Sequence, residues 1–386
     1  MADLSNVLVV IGTRPEGIKL APVIQALRRR GEVKTRVALT GQHTTLLDQV
    51  LQVFDLGVQD DLGIMREGQS LYDVAGGTLD GLRRIVRSNP TDLILVQGDT
   101  ASVFFASLVG FFEHITVGHV EAGLRSHDKW RPYPEEIFRR LTGVVADLHF
   151  APTPWARDNL LHEHVSDRNI FLTGNPVVDA LYAIARQEHE PRDAGLREAL
   201  GAGKRLVLLT AHRRESFGAP LRAAFTAIRA LADRFEDVIF LYPVHPNPEV
   251  RAAVQDVLLN HPRIKLTDPL DYFDLLYALR HARLALTDSG GIQEEAPAFG
   301  TPVLVMREVT ERPEGVEAGV AALVGTSHDR IMELGSRLLQ DDVAHALMSG
   351  AVNPYGDGRA GERIADIVVH KLTGADRKTK DWQPHP

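Results

Sequence analysis

Short apolar runs rich in β-branched residues alternate with longer amphipathic stretches along the whole chain. In the first half the runs predict strands at Val7–Ile11, Thr35–Thr40, Leu93–Gln97, Ile115–Val117 and Leu148–Ala151. A second series predicts strands at Leu206–Thr210, Val238–Tyr242, Ile264–Leu266, Arg283–Thr287 and Pro302–Val305. Between them the apolar spacing becomes helical, as at Ile18–Arg30, Leu71–Arg87, Ala219–Phe235 and Tyr272–Arg280. Strand–helix alternation of this kind implies parallel sheets covered on both faces, so the fold class is α/β and doubly wound.

Two such series imply two domains, and 386 residues exceed what a single core usually supports. The boundary is expected between Ala183 and Arg205. There Gln187–Arg192 is polar, contains Pro191, and precedes Gly201 and Gly203. The expected division is residues 1–185 and 186–358, with a last helix at Arg359–Leu372 joining the first domain. Residues Thr373–Pro386 are expected to fray.

Composition narrows the function classes. The chain is 44% hydrophobic and 24% charged, as in an ordinary globular protein. Net charge is −8, and the densest basic cluster, Arg28–Arg30, falls at a helix end where it complements the dipole. A nucleic-acid partner is therefore not expected. Without cysteine there is no disulfide or thiolate chemistry, which fits a cytoplasmic enzyme. No apolar run approaches the ~20 residues that span a membrane, and Val7–Ile11 is too short for a secretory signal.

Ligands of doubly wound sheets bind beyond the carboxyl ends of the strands. The richest strand end is Leu286-Thr287-Asp288-Ser289-Gly290-Gly291-Ile292-Gln293-Glu294-Glu295-Ala296-Pro297. It reads as strand, tight turn and helix N-terminus, a place whose free N–H groups suit a phosphate. Gly290 and Gly291 permit close backbone approach, and Ser289 adds a hydroxyl donor. A carboxylate repels phosphate, so one of Glu294 and Glu295 is expected to face a ribose diol. The stretch reads as a nucleotide-diphosphate site, and a capped turn with acidic residues serving only the dipole is an equally good reading of the spacing alone.

Other strand ends add candidates. Gly12-Thr13-Arg14-Pro15-Glu16 follows the first strand, with Arg14 and Lys19 able to meet an anion. Gly41-Gln42-His43 follows the second. Asp99 follows Leu93–Val96, Glu121 lies beyond Ile115–Val117, and Pro134-Glu135-Glu136 opens a helix reaching Val145. Asp99 alone has an ordinary explanation as a cap and Glu135 as a dipole partner, while a glutamate at position 121 needs a partner, but the three converge on strand ends and helix starts of one domain. The second domain offers His212-Arg213-Arg214 and His245, suited to binding and protonating a leaving phosphate, and then Arg307 and Arg312. The sixteen histidines show no HExxH spacing, so no metal is expected. The first strand lacks a following GxGxxG, which disfavours a redox dinucleotide. Thr287 stands where a nucleophile elbow needs glycine.

Together, Gly12–Glu16, Gly98-Asp99-Thr100, His119–Arg125, Pro134–Glu136, His212–Glu215, Pro243-Val244-His245, the 287–297 stretch and Thr310–Glu314 resemble the bacterial non-hydrolysing UDP-N-acetylglucosamine 2-epimerases. The likeness runs from about Val7 to about Leu372, and eight motifs in order make it specific. The resemblance implies two Rossmann-like domains facing a cleft, as in GT-B glycosyltransferases, a cytoplasmic homodimer, no cofactor, and interconversion of UDP-GlcNAc and UDP-ManNAc. It implies that Ser289, Gly290 and Gly291 hold the diphosphate, with Arg14, His212 and Arg312 at the phosphates. Glu295 would take the ribose, and Tyr272 and Phe273 would lie near the uracil. Asp99, Glu121 and Glu135 would face the sugar, with His212 counted among the catalytic residues and Lys19 among the substrate-binding ones. Gln42, His43, Glu136, Arg213 and His245 match a second UDP-GlcNAc site, an activator site in many members. Departures are Phe138 before Arg139 where asparagine is usual, Gly68 in place of arginine, and Thr45 in place of glutamine, so substrate activation is not assured by the likeness.

Overall fold

The computed structural model describes residues 4–41, 45–64, 66 and 68–384. The chain forms two compact units. The first comprises residues up to Ala180 together with Tyr355–Pro384, and the second Leu181–Pro354. The division falls inside the helix Pro176–Ala185 and not at the polar stretch that follows. Val177, Val178, Ala180 and Leu181 are all buried, so the apolar pattern of this helix continues past the point where one unit ends.

The first unit is built on strands β1 (Asn6–Ile11), β2 (Lys34–Leu39), β3 (Asp60–Asp61), β4 (Leu93–Gln97), β5 (Thr116–Val120), β6 (Leu148–Ala151) and β7 (Ile170–Leu172). Among the described residues they form one parallel sheet in the order β3-β2-β1-β4-β5-β6-β7. The second unit carries β8 (Arg205–Thr210), β9 (Val238–Pro243), β10 (Ile264–Thr267), β11 (Ala282–Thr287), β12 (Val303–Val305) and β13 (Ala321–Leu323). They pair, again in parallel, as β10-β9-β8-β11-β12-β13. Central strands such as β4 are buried at every position, as both-face coverage requires. In each sheet the strand order reverses once, between β1 and β4 and between β8 and β11. These are the topological switch points where doubly wound sheets bind ligands.

Two sequence expectations need correction. The fifth strand does not stop at Val117 but runs to Val120, taking His119 into the sheet fully buried, where its Nε2 bonds the Gly98 carbonyl at 2.8 Å. One polar partner was enough to admit a polar residue to a buried strand. The tail beyond Thr373 is irregular but not frayed. Asp366 accepts the backbone N–H groups of Lys378 and Thr379, each at 2.7 Å, and Trp382 is buried with its N–H on the Leu172 carbonyl at 2.7 Å.

Helix Ala360–Thr373 packs along helix Arg14–Arg30 within the first unit. At their contact a Cβ on Gly361 would sit 2.9 Å from the Pro22 carbonyl carbon, so only glycine permits this approach. Arg30 adds a 2.5 Å ion pair to the buried Asp366.

Candidate functional site

At the first switch point the turn after β1 enters helix Arg14–Arg30 through Thr13 and Pro15. Glu16 folds back under this turn. Its Oε2 accepts from the N–H of Gly12 (2.5 Å) and Thr13 (3.3 Å), and its Oε1 from the Thr100 hydroxyl (2.9 Å). One carboxylate thus ties the β1 turn to the β4 turn. Burial pushes the Glu16 carboxyl up to about 7 against the opposing pull of those donors. Arg14 is half-buried beside it.

Glu121 follows β5 with φ +64, a left-handed conformation uncommon outside glycine. Its side chain is nearly buried and fully engaged. Lys19 Nζ lies 2.5 Å from Oε1, Asn175 Nδ2 donates to the same oxygen at 2.9 Å, and Gln97 Nε2 donates to Oε2. Asp99 follows β4 and meets Arg139 Nη2 at 2.5 Å. Arg139 also lies 3.5 Å from Glu136, whose buried carboxylate accepts the N–H groups of Ser126 (3.0 Å) and His127 (3.3 Å). The side chain of Glu135, half-buried in the first turn of helix Glu135–Val145, makes no hydrogen bond or ion pair among the described residues. Burial holds the His119 imidazole down to about 3, so it is neutral beneath this cluster.

At the second switch point Asp288 follows β11, fully buried. Its Oδ2 accepts the N–H groups of His212 (2.7 Å) and Arg213 (2.8 Å), and its Oδ1 lies 3.0 Å from His212 Nδ1, in ion-pair range though off hydrogen-bond alignment. Burial raises the Asp288 carboxyl, but the His212 ring and the two backbone donors outweigh it and hold the group below the usual range. Asp288 thereby fixes the turn after β8 and the orientation of the His212 ring. His245 stacks on that ring at 5.6 Å; partial burial and the nearby His212 lower its pKa.

Ser289 is the N-cap of helix Gly290–Ala298, and its hydroxyl makes no capping bond to the helix. The guanidinium of Arg312 lies directly over this N-terminus. A Cβ on Gly290 would fall 2.7 Å from Arg312 Nη1, so the glycine is what lets the cation sit there. Buried Glu294 holds Arg312 Nε at 2.5 Å, and Glu311 lies 3.8 Å from its Nη1. A helix N-terminus, a hydroxyl and a guanidinium converge as a phosphate requires. Glu295, one residue on, accepts the Tyr272 hydroxyl at 3.0 Å, and Tyr272 and Phe273 pack edge to face at 6.2 Å.

The expected residues therefore group by unit. Arg14, Lys19, Asp99, Glu121, Glu135 and Glu136 belong to the first, while His212, Arg213, His245, Tyr272, Phe273, Ser289, Gly290, Gly291, Glu295 and Arg312 belong to the second. Gln42 and His43 lie outside the described residues, and Glu136 spends both oxygens on the 126–127 backbone. Glu16, Gln97, Asn175 and Asp288 were not singled out from the sequence. A usable signal existed for Asn175. Thr173-Gly174-Asn175-Pro176 repeats the strand–glycine–polar–proline–helix pattern of the β1 turn, but β7 is too short to stand out. Among the described residues no cluster of His, Asp or Glu is arranged to hold a metal, and no helix is long and apolar enough to cross a membrane.

Comparison with known proteins sets this geometry in context. Residues 25–369 match a family model described as UDP-N-acetylglucosamine 2-epimerase. A Yersinia pestis UDP-N-acetylglucosamine 2-epimerase is 47% identical, the match covering 95% of this chain and all of the relative. A Staphylococcus aureus structure solved with UDP superposes with TM-score 0.87 at 40% identity, covering 98% of this chain and 100% of that one. A Neisseria meningitidis UDP-GlcNAc 2-epimerase bound to UDP-GlcNAc gives TM-score 0.84 at 38% identity, covering 96% and 100%. With two doubly wound α/β units and matches of this extent, the chain belongs to the UDP-N-acetylglucosamine 2-epimerase family.

Proposed function

We propose that the protein interconverts UDP-GlcNAc and UDP-ManNAc by eliminating UDP and adding it back, without net hydrolysis. The observation that carries this reading is the pair of switch points, one furnished with cation and helix N-terminus, the other with buried and half-buried carboxylates. The C2 proton of the sugar has no adjacent carbonyl, so direct removal is hard. Loss of the C2 proton together with cleavage of the C1–O bond gives 2-acetamidoglucal and free UDP. Return of a proton to the opposite face of C2, with the phosphate oxygen re-forming the bond to C1, completes inversion.

Gly290, Gly291, Ser289 and Arg312 stabilise the departing diphosphate, with Arg14 adding charge. His212, oriented by Asp288, donates a proton to the leaving phosphate and recovers it on return. Tyr272 and Phe273 take the uracil and Glu295 the ribose. Asp99, Glu121 and Glu135 carry the proton at the sugar, and Lys19 forms an ion pair with Glu121.

Incubation with UDP-GlcNAc in deuterated water, followed by proton NMR, tests the reading. UDP-ManNAc carrying deuterium at C2 is the expected product. Free ManNAc would assign a hydrolysing enzyme instead, and unexchanged starting material would reject epimerisation.

The chain acts as a homodimer in this reading. Helix Ala101–Phe112 packs between helices Leu71–Ser88 and Glu135–Val145 and leaves Phe111, Phe112, Leu141 and Val144 exposed, an apolar surface suited to a second copy. Sedimentation equilibrium should give twice the chain mass, and Phe111→Asp with Val144→Glu should give the monomer; a monomeric parent protein rejects the dimer.

A further inference from the structure

Two of the three donors on Glu121 come from neighbouring elements of the sheet, Lys19 from the helix after β1 and Gln97 from β4. The third, Asn175, stands at the start of helix Pro176–Ala185, and its setting is unlike theirs. Its own Oδ1 accepts the Val177 N–H at 3.1 Å, which fixes the amide so that Nδ2 meets Glu121. Its main-chain N–H donates to the Tyr355 carbonyl at 2.7 Å. Tyr355 is where the chain re-enters the first unit after the second.

The contact is built for close approach. Gly174 and Gly356 both have positive φ, +81 and +148, and a Cβ on Gly174 would sit 3.3 Å from the Gly356 Cα. The re-entrant segment grips the same place twice more. Asp179 accepts the N–H groups of Ala360 (3.1 Å) and Gly361 (2.8 Å), and Arg363 joins the Thr173 carbonyl (3.1 Å) to Asp357 (2.7 Å).

We propose that Asn175 is a positioning residue for Glu121, and that the re-entrant turn at 355–356 holds Asn175 in place to do it. An amide donor carries no charge and does not titrate. It fixes the direction of Oε1, which the flexible Lys19 ammonium alone would leave free to swing. A segment more than two hundred residues away in sequence thus becomes part of the acid–base apparatus. This inference rests on the reading that Glu121 acts at the sugar, so the test separates the two.

The informative variant is Asn175→Asp, in which Oδ1 still caps the helix while the donor is replaced by an acceptor facing Glu121. Asn175→Ala, which also loses the cap, and Glu121→Gln accompany it. Turnover is read from deuterium uptake at C2, with UDP affinity by calorimetry. For Asn175→Asp we expect kcat to fall about 100-fold, as misplacement of a reacting group does. UDP affinity should stay within about twofold, so that the loss falls on turnover and not on binding. Normal kcat in both Asn175 variants, while Glu121→Gln is inactive, overturns this inference alone. Equal losses of turnover and UDP affinity reduce Asn175 to a structural residue and also overturn it. A fully active Glu121→Gln overturns the underlying reading of Glu121.

Discussion

Glu121 shows how much environment the fold builds around one carboxylate. A left-handed backbone aims it, and three donors from three elements satisfy it. Asp99 is held differently, by the single guanidinium of Arg139, while Glu135 has no such tie among the described residues. Asp99→Asn, Glu121→Gln and Glu135→Gln should each lose about 3 kcal/mol or more of transition-state stabilisation while still binding UDP. Steady-state kinetics beside UDP calorimetry checks this, and near-normal turnover in all three rejects the assignment. Asp288→Asn should lower kcat about tenfold or more, because the His212 ring loses the group that orients it. Restoration of the parent rate in that variant would show that His212 needs no such support.

At the scale of elements, helix N-termini do most of the arranging. Helix Gly290–Ala298 presents its start beside Arg312 only because position 290 lacks a Cβ. Gly290→Ala should displace the guanidinium and weaken UDP binding about tenfold, since one charge-assisted bond is lost, with little change in melting temperature. Calorimetry with UDP measures the first and thermal unfolding the second. Helix Arg14–Arg30 starts over the buried Glu16, and here pH enters. The folded-state value of about 7 lies above the ordinary 4.5, so the native state binds this proton more tightly than the unfolded chain does. Stability contributed by Glu16 is therefore full below about 4.5 and is lost as pH rises through about 7. Asp179, raised by burial to about 7, has the same sign. His119, lowered by burial to about 3, has the opposite one and lowers stability as pH falls below about 6.5. Glu16→Gln should remove its share, so the melting temperature should fall less between about pH 5 and about pH 8 than in the parent protein. An unchanged slope would mean that Glu16 ionises normally.

At the scale of the molecule, the first unit is assembled from two stretches of chain separated by the whole second unit. Helix Ala360–Thr373 covers helix Arg14–Arg30, Asp366 collects the tail, and Trp382 closes over β7. Gly361→Val, which drives branched carbon into the Pro22 backbone, should cost about 2 kcal/mol through overpacking. Differential scanning calorimetry should show a lowered transition. A transition at the parent temperature would show that the two helices can separate without cost.

The sequence by itself determined the alternation of buried strands and amphipathic helices, and with it the α/β class. It also marked the polar residues at the strand ends, because a parallel sheet buried on both faces advertises its strands as apolar runs and leaves only their carboxyl ends open to chemistry. The positions of Asp99, Glu121, Ser289 and Gly290 just beyond strands were legible on that ground. Partners across the fold were not. Nothing in the spacing of Gln97, Asn175 or Asp288 says that each will meet a particular side chain, since such meetings depend on strand order and on where a returning segment closes. His119 inside β5 and the anchored tail were misread for the same reason. A buried polar group looks like a loop residue until its hydrogen-bond acceptor is known, and that acceptor comes from another part of the chain.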